Sequence, residues 1–340
     1  MKSIKVLGMA LLGMSIIMAS CSGEDGKDGL PGDKGDKGAQ GDQGPKGDQG
    51  DQGDQGDPGA DGQDGSDKPN VDFYFQDGYK GYNGTNDTFL AEAGVNTNFG
   101  DDETFRVSFE NTLNTSRNSV IRFSGIDGIT TDLVESSETC ANGFHINQAT
   151  LYIYLSSYVK IGLGLDQPAV QLYCGFYNGG SDDPVFEETD ATWNMANAND
   201  AWFVAGGVSA LFDYGLTAAV DDYIVPVQFN EPADGSGTVG WVAIPLPRTL
   251  VEQWVCNPES NKGMRIRLEE TELNSNSVDL TFISSESTNE DLRPLLVIET
   301  EDIDPATGKM APSGKAKDWD SMSYEEKMAP LYRYFAAKGL

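Results

Sequence analysis

Glycine occupies every third position from Gly23 through Gly65, fifteen times in succession without interruption. This period constrains the chain more than any other feature, because three extended chains can wind around a common axis only where every third residue lacks a side chain. A flexible linker has no reason to keep such a period. The repeat therefore predicts that residues 23–67 form a stalk in which three copies of the chain make a triple helix, so that the protein is a homotrimer.

The stalk is unusual for a collagen-like segment because it has little proline and a large negative charge. Only Pro31, Pro45 and Pro58 pre-set the backbone, and thirteen acidic residues stand against four lysines. Ion pairs between chains, such as Lys34 with Asp36, are surface pairs that contribute less than about 1 kcal/mol each. Two interpretations therefore remain open: a marginally stable triple helix of roughly 140 Å, and a disordered polyanionic spacer.

The first twenty residues have the layout of an export signal. Lys2 and Lys5 precede an apolar run over residues 6–18, and small residues follow it directly before Cys21. The run is too short to span a bilayer comfortably. We expect residues 1–20 to be a signal peptide and residues 21–67 to form the anchor and stalk.

The sequence Ile-Met-Ala-Ser-Cys ending at Cys21 resembles the lipobox of bacterial lipoproteins, with Met18 where leucine is usual. The resemblance implies that a lipid on Cys21 is the attachment to the membrane. The acidic Glu24 and Asp25 resemble surface-export signals of some Gram-negative lipoproteins, which implies the outer membrane and its outer face. An ordinary secretory signal with a chance cysteine is the alternative.

The charge of the chain limits its partners. The whole sequence carries −31, and the part from Lys68 onward carries −24. Such a field argues against nucleic acid, against anionic lipid surfaces and against unaided binding of polyanionic glycans. Lys68 also marks the point at which glycine loses its period and aromatic and β-branched residues appear.

Residues 68–301, called the head below, show the patterns of short β-strands. Apolar side chains alternate along these segments, so that Leu151, Ile153 and Leu155 share one face. About ten strands separated by Gly, Asn, Asp and Pro predict an all-β antiparallel sandwich. A short helix is expected at 248–255. The predicted strands are 71–75, 104–110, 119–126, 149–156, 169–177, 224–229, 239–246, 263–270, 278–284 and 294–300.

Residues 302–340 are expected to be a linker followed by a helical tail. A capping box from Ser323 to Glu326 precedes apolar residues at helical spacing. Pro330 is expected to kink or restart this helix. Two roles of the tail remain open: it covers the head, or it binds a partner molecule.

The order of motifs between residues 85 and 300 resembles the DNRLRE-type domain. The matching segments are DTFL at 87–90, RNSVIRF at 117–123, INQATLYIYL at 146–155, EETDATWN at 187–194, the Trp-strand-helix segment at 240–255, and FISSES with DLRPLLVIE at 282–299. The resemblance implies a jelly-roll β-sandwich related to carbohydrate-binding modules. Long insertions around 127–144 and 198–223 depart from the pattern of that family and could reshape a binding face.

Residues suited to catalysis are scarce. His145 is the single histidine, which leaves little material for a hydrolytic triad or a histidine-rich metal site. Adjacent acids such as Asp182 and Asp183 do not provide the facing carboxyls that glycoside hydrolysis requires. We therefore expect no enzymatic activity.

Calcium is the one cofactor that the sequence makes plausible, as a structural ion. Asp101, Asp102 and Glu103 stand in a loop before a strand and offer the oxygen ligands that Ca²⁺ prefers. No EF-hand pattern is present, and an exposed acidic turn is the alternative explanation.

Three aromatic residues lie outside the core-like motifs and are candidates for stacking on sugar rings. Trp202 falls in an insertion, and Tyr79 and Tyr82 fall in a glycine-rich loop. Ordinary packing is the alternative for each. Trp193, Trp241 and Trp254 lie in the family-like motifs and are expected in the core.

Three cysteines remain in a compartment that permits disulfides. Cys174 falls on the apolar face of a strand and is expected to be a buried thiol. Cys140 and Cys256 are both expected in loops, and a bridge between them would pin the first insertion to the body. Three cysteines allow three pairings, which the sequence leaves open.

Two classes of function follow. The first is a surface lipoprotein whose head binds polysaccharide, with a neutral glycan favoured by the charge. The second is a structural or adhesive surface protein that binds other proteins. An exposed aromatic platform would favour the first, and an exposed apolar patch would favour the second.

Overall fold

Antiparallel strands dominate the head. The computed structural model describes residues 71–110, 115–129, 140, 146–161, 169–178, 184–208, 223–228, 240–268, 277–300 and 318–340. All of them belong to Asp61–Leu340, one of the two units into which the chain divides. Cys21, the stalk at 23–67 and His145 lie outside the described residues.

Eleven strands within the described residues join into one sheet in which every pairing is antiparallel. The all-β antiparallel prediction is therefore confirmed. The strands are β1 Val71–Phe75, β2 Thr85–Ala91, β3 Thr104–Glu110, β4 Thr115–Phe123, β5 Gln148–Ile161, β6 Ala169–Asn178, β7 Tyr223–Gln228, β8 Gly240–Leu246, β9 Asn261–Leu268, β10 Ser277–Ile283 and β11 Leu295–Thr300.

Two long strands make the sheet curl. One edge of β5 pairs first with β11 and then, beyond Tyr152, with β10, while its other edge pairs with β8. In the same way β4 passes from β3 to β9 along one edge and pairs with β2 along the other. Because each of these strands changes partner along its length, the sheet forms two sandwich-like layers without a break between them.

The inner face of the curled sheet encloses one large apolar core. Leu151, Ile153 and Leu155 of β5 all point into it, as the alternation predicts, and so do alternate residues of β6. Cys174 is among them; it is buried and outside any disulfide. The period-two pattern therefore identified the correct face on both strands.

Strand β2 was not among the predicted strands. Almost all of its side chains are buried, including Phe89 on the inner face and Leu90 on the outer face. The outer face is covered by residues 184–208, which we call the cover loop. A strand buried on both faces does not alternate between apolar and polar residues, so its period is hidden in the sequence.

A short helix, α1 (Arg248–Cys256), closes one part of the core. Its buried residues are Leu250, Val251, Trp254 and Val255. The predicted helix over 248–255 is confirmed, and it ends beside Asn257-Pro258, as a following proline requires. A disulfide joins Cys256 at the end of this helix to Cys140, with the two Cα atoms 5.6 Å apart. Of the three pairings left open by the sequence, this is the one that pins the first insertion to the body, although Cys256 is the last residue of α1 and does not lie in a loop.

A second helix, α2 (Tyr324–Lys338), lies on the outer face of the sheet. Ser323 and Glu326 form the predicted capping box, and the helix continues through Pro330 without restarting there. Its Leu331 and Tyr334 pack in a cluster with Tyr152 of β5, so the tail covers the head. Within the described residues, neither helix has the length and apolar character needed to cross a membrane.

Candidate functional site

The first predicted sugar-stacking residue, Trp202, is an interior side chain. It is only 5% exposed, and its indole Nε1 donates a hydrogen bond to the Thr192 carbonyl at 3.0 Å. Its ring stacks on Tyr177, with the ring centroids 5.6 Å apart. The prediction that Trp202 is exposed is wrong, because the cover loop and the outer face of β2 and β4 build a small apolar core around it.

The two predicted tyrosines are also engaged inside the molecule. Tyr79 packs edge-on against Tyr334 of α2, with the ring centroids 5.0 Å apart. Tyr82 packs against Phe75, and its hydroxyl donates to the Ser124 carbonyl at 2.9 Å. Both side chains are half-buried. The predicted aromatic platform therefore does not form, since these three rings pack in three different hydrophobic clusters.

The predicted calcium loop does not bring its carboxylates together in a buried site. Asp101, Asp102 and Glu103 are all exposed. Their backbone contacts the turn after β10, where the Ser284 hydroxyl donates to the Asp102 carbonyl at 2.6 Å. The turn that follows Ser284 carries one of the carboxylates that do converge.

A cluster of three carboxylates, which we call the acidic cluster, forms where β2, the cover loop and the turn after β10 meet. It consists of Asp87, Glu188 and Glu286, and one oxygen from each lies within 4.8 Å of the others. Asp87 is buried, while Glu188 and Glu286 are partly buried. Three acids from separate segments thus face one another at one place in the head.

Backbone hydrogen bonds hold the acidic cluster in place. The Asp87 N–H donates to Glu188 Oε1 at 2.7 Å, and the Ser285 N–H donates to Asp87 Oδ2 at 2.9 Å. The Asn98 side chain donates to the Glu188 carbonyl at 2.6 Å. A side chain at Gly100 would collide with that same carbonyl, so the absence of a Cβ there permits the close approach.

The electrostatics of the acidic cluster oppose its ionisation. Burial raises the pKa of the Asp87 carboxyl well above its ordinary value, and the nearby Glu286 and Glu188 raise it further. Burial also raises the pKa of Glu188, to about 7, and that of Glu286. Each carboxyl loses hydration and faces two like charges, so a positive charge at the centre would stabilise the ionised form.

The acidic cluster was missed by sequence reasoning because its members are far apart in the chain. All three nevertheless fall inside motifs that carry the family resemblance: Asp87 in DTFL, Glu188 in EETDATWN and Glu286 in FISSES. Each acid thus stands in a segment that the resemblance singles out, although EETDATWN also contains Glu187 and Asp190. That shared feature was the available signal.

An exposed apolar patch lies on the cover loop and on the segment that follows β2. Phe203, adjacent to the predicted Trp202, is 62% exposed, and Val204 and Val95 are also exposed. Asn194 connects these loops, since its N–H donates to the Val95 carbonyl and its own carbonyl accepts from the Trp202 N–H. The aromatic side chain that this loop offers to solvent is therefore Phe203.

The comparison with protein families concerns the stalk. Residues 20–70 match the family model described as Collagen triple helix repeat (20 copies). A triple helix requires three chains, so the match supports a homotrimeric stalk. No curated protein matches the chain, and no family match supports the DNRLRE-type resemblance of residues 85–300. The chain thus combines a collagen repeat with a curled antiparallel sheet and a C-terminal helix.

Proposed function

We propose that this protein is a bacterial surface lipoprotein that displays three β-sandwich heads on a collagen-like stalk to bind extracellular polysaccharide. The observation that carries the proposal is the unbroken glycine repeat between an export-type N-terminus and a folded β unit. A stiff stalk between an anchor and a head has an evident use, which is to hold the head away from the membrane. Three heads on one stalk would also strengthen weak binding through avidity.

Binding without catalysis fits the residues of the head. The chain contains one histidine. The acidic cluster includes Asp87, which is buried, and two of its carboxylates accept hydrogen bonds from backbone N–H groups. A glycosidase needs two carboxyls open to the substrate on either side of the scissile bond. A cluster enclosed in this way is better suited to structure than to hydrolysis.

The polysaccharide ligand is supported by the motif order that resembles the DNRLRE-type domain. Phe203 replaces Trp202, Tyr79 and Tyr82 as the candidate, since it is exposed on the cover loop, which also contains Asn194 and Asn197. An aromatic face stacks on a sugar ring, and amide groups hydrogen-bond its hydroxyls. A head with a strong negative charge favours a neutral glycan over a uronate or sulfated one.

A glycan array and calorimetry with residues 22–340 test this proposal. We expect binding to a neutral polysaccharide, and we expect Phe203→Ala to weaken it at least about five-fold, which corresponds to about 1 kcal/mol. Tyr332→Ala is the matched control, because Tyr332 is an exposed aromatic on a different element, α2. Equal losses in both variants would contradict the assignment of the surface, and absence of glycan binding would contradict the ligand class.

A protein ligand is the second candidate, and the composition of the exposed patch favours it. Phe203, Val204 and Val95 are apolar, and such patches often mark protein contacts. The test is adhesion of the purified protein to bacterial cells before and after periodate oxidation of their glycans. Adhesion that survives periodate but is lost in Phe203→Ser would support a protein partner, whereas loss on periodate treatment would support the polysaccharide.

The anchor is tested separately from the ligand. Cys21→Ser removes the proposed site of lipidation and should release the protein from the membrane into the soluble fraction. Protease treatment of intact cells should degrade the head if it faces outward. A Cys21→Ser protein that still sediments with membranes would contradict the anchor.

The trimer is tested by a single change in the repeat. Gly44→Ala places a methyl group on the crowded axis of the triple helix and should lower its melting temperature. Light scattering on residues 22–340 should give the mass of three chains at low temperature. A monomer mass without collagen-like circular dichroism would favour the polyanionic spacer.

A further inference from the structure

We propose that the acidic cluster is a calcium site in which Asp87, Glu188 and Glu286 bind one Ca²⁺ and join three separate segments of the head. Those segments are β2, the cover loop and the turn after β10. The inference does not depend on the ligand proposed above, since it concerns how the head is held together.

The spacing of the oxygens matches a common ion. Calcium lies about 2.3–2.6 Å from each oxygen ligand, so two ligands of one ion can be no more than about 5 Å apart. One carboxylate oxygen from each of the three residues falls within 4.8 Å of the others. A single Ca²⁺ can therefore contact all three without any change in the backbone.

The strongest indication of a cation site is a buried carboxylate oxygen without a hydrogen-bond partner. Asp87 is only 1% exposed, and its Oδ1 forms no hydrogen bond, whereas its Oδ2 accepts from the Ser285 N–H. Glu286 repeats this arrangement: its Oε1 accepts from the Ser285 hydroxyl at 2.9 Å, and its buried Oε2 has no partner. Buried charged oxygens are expensive to leave unsatisfied, and a cation would satisfy both.

The protein supplies no basic group to this cluster in the part of the chain that the structure describes. The nearby Arg122 has its ion pair with Glu187, at 4.0 Å, and acts on Glu188 only through its field. Asp77 and Asp101 add negative charge, since both raise the pKa of Glu188. The local balance is therefore strongly negative, and a dication offsets it better than one distant guanidinium.

The donor set favours calcium over other metals. All three side chains offer carboxylate oxygens, which suit hard cations, and neither histidine nor cysteine takes part. Three carboxylates, of which the glutamates can bind through both oxygens, come close to the six to eight oxygens that Ca²⁺ takes, and water or backbone carbonyls can complete the shell. Mg²⁺ prefers shorter distances and keeps several waters, so it should bind less well.

Calcium bound at the acidic cluster would restrict the motion of the cover loop, and with it the exposed patch, as well as stabilise the core. Glu188 belongs to the cover loop, which also carries Phe203. The loop has other ties to the body, such as the hydrogen bond from Arg265 of β9 to the Gly207 carbonyl at 2.9 Å. Calcium would add a contact at Glu188, near the other end of the cover loop. Metal binding and the conformation of the exposed patch are therefore linked.

The experiment measures calcium binding and thermal unfolding of residues 22–340. Calorimetry should find one Ca²⁺ for each head, and calcium at a hundred times its Kd should raise the melting temperature by about 5–10 °C over EDTA. Tryptophan fluorescence follows the head and the tail without the stalk, because four tryptophans lie in the head and Trp319 lies in the tail. No heat of binding and no shift in about 10 mM Ca²⁺ would overturn the proposal.

Two variants distinguish a metal ligand from a hydrogen-bonding residue. Asp87→Asn and Glu286→Gln each keep the shape of the side chain but remove a charge, and each should lower calcium affinity at least about ten-fold. In EDTA both should melt at or above the temperature of the unmodified protein, because like-charge repulsion is relieved. Lower melting temperatures in both buffers, with calcium binding retained, would instead assign the residues a purely structural role and overturn the site.

The control variant is Asp102→Asn. Asp102 stands in the loop next to the acidic cluster, but its side chain is exposed. Its affinity for calcium and its melting temperature should remain those of the unmodified protein. Loss of calcium binding in this variant alone would move the site to the acidic loop at 101–103. Measurements on the unmodified protein keep the proposal testable even where a variant fails to fold.

Discussion

Two groups of buried or partly buried carboxylates in the head differ in where their positive charge comes from. Asp72 and Glu299 are paired residues on β1 and β11, and Arg333 of α2 bonds both of them, with its Nε 2.6 Å from Asp72 Oδ2. The acidic cluster at Asp87 has no such residue among those described. The chain therefore neutralises one group itself, and a cation from solvent would neutralise the other.

The position of Arg333 beside Asp72 and Glu299 depends on the docking of α2. Burial raises the pKa of Glu299, and Arg333 acts against that rise. Arg333 can do so only while α2 is docked, and docking depends on the apolar contacts of Leu331 and Tyr334 with the sheet. The cation of the first group is thus tied to the tail helix, whereas that of the acidic cluster would depend on calcium concentration.

The largest expected effect comes from removing the apolar contact that seats the helix. Leu331 is fully buried, so Leu331→Ala should lower the free energy of unfolding by about 2–5 kcal/mol. Denaturant unfolding of residues 22–340 measures this loss. The control is Tyr332→Ala, whose side chain is exposed on the same helix. A loss below about 1 kcal/mol would contradict docking of the tail in solution.

The next effect comes from removing the guanidinium alone. Arg333→Met keeps much of the aliphatic stem but leaves Asp72 and Glu299 without a counter-charge. We expect a loss of about 1–3 kcal/mol, less than for a fully enclosed pair because the Arg333 side chain is 45% exposed. A double-mutant cycle with Asp72→Asn measures the coupling. Additive losses would mean that the pair contributes nothing.

A smaller effect distinguishes the two carboxylate groups directly. Asp72→Asn should destabilise the head by about 1 kcal/mol in calcium and in EDTA alike, because its partner is a side chain that is always present. The effect of Asp87→Asn, in contrast, should depend on the buffer. Unfolding curves of both variants in the two buffers give the comparison, and identical behaviour of the two would contradict a calcium dependence confined to the acidic cluster.

The smallest effect is expected at the end of the helix. Lys338 lies 2.6 Å from Asp291, and the Asp291 side chain is 47% exposed. Lys338→Ala should cost about 0.2–1 kcal/mol, and less at high salt, because ion pairs with a solvent-accessible partner are weak and screened. If Lys338→Ala lowered the free energy of unfolding as much as Arg333→Met does, the ion pairs of Arg333 with Asp72 and Glu299 would stabilise the docked helix no more than the pair of Lys338 with Asp291.

Much of the fold could be predicted because its signals are local. Alternation along β5 identified the face that bears Leu151, and the capping box at Ser323 marked the start of α2. Strand β2 escaped because it is buried on both faces, and Pro330 did not interrupt its helix. In each of these two cases packing against a distant segment outweighed the local rule.

The candidate site could be predicted only in part. The motif order singled out the segments that hold Asp87, Glu188 and Glu286, but not that these acids meet. The choice of Trp202 as an exposed ring was wrong by one position, because the cover loop turns Trp202 inward and leaves Phe203 exposed. Which side of an irregular loop faces solvent has no period, so the sequence holds no rule for it.

By itself, the sequence determined the features that repeat or end within a few residues: the glycine period of the stalk, the export pattern before Cys21, the strand faces and the helix cap. Only the tertiary structure decided which acids converge and which aromatics are enclosed. Asp87 bonds to residues about one hundred and two hundred positions away, Glu188 and Ser285. Contacts across such separations are set by how the sheet curls, and no local pattern in the chain encodes that curl.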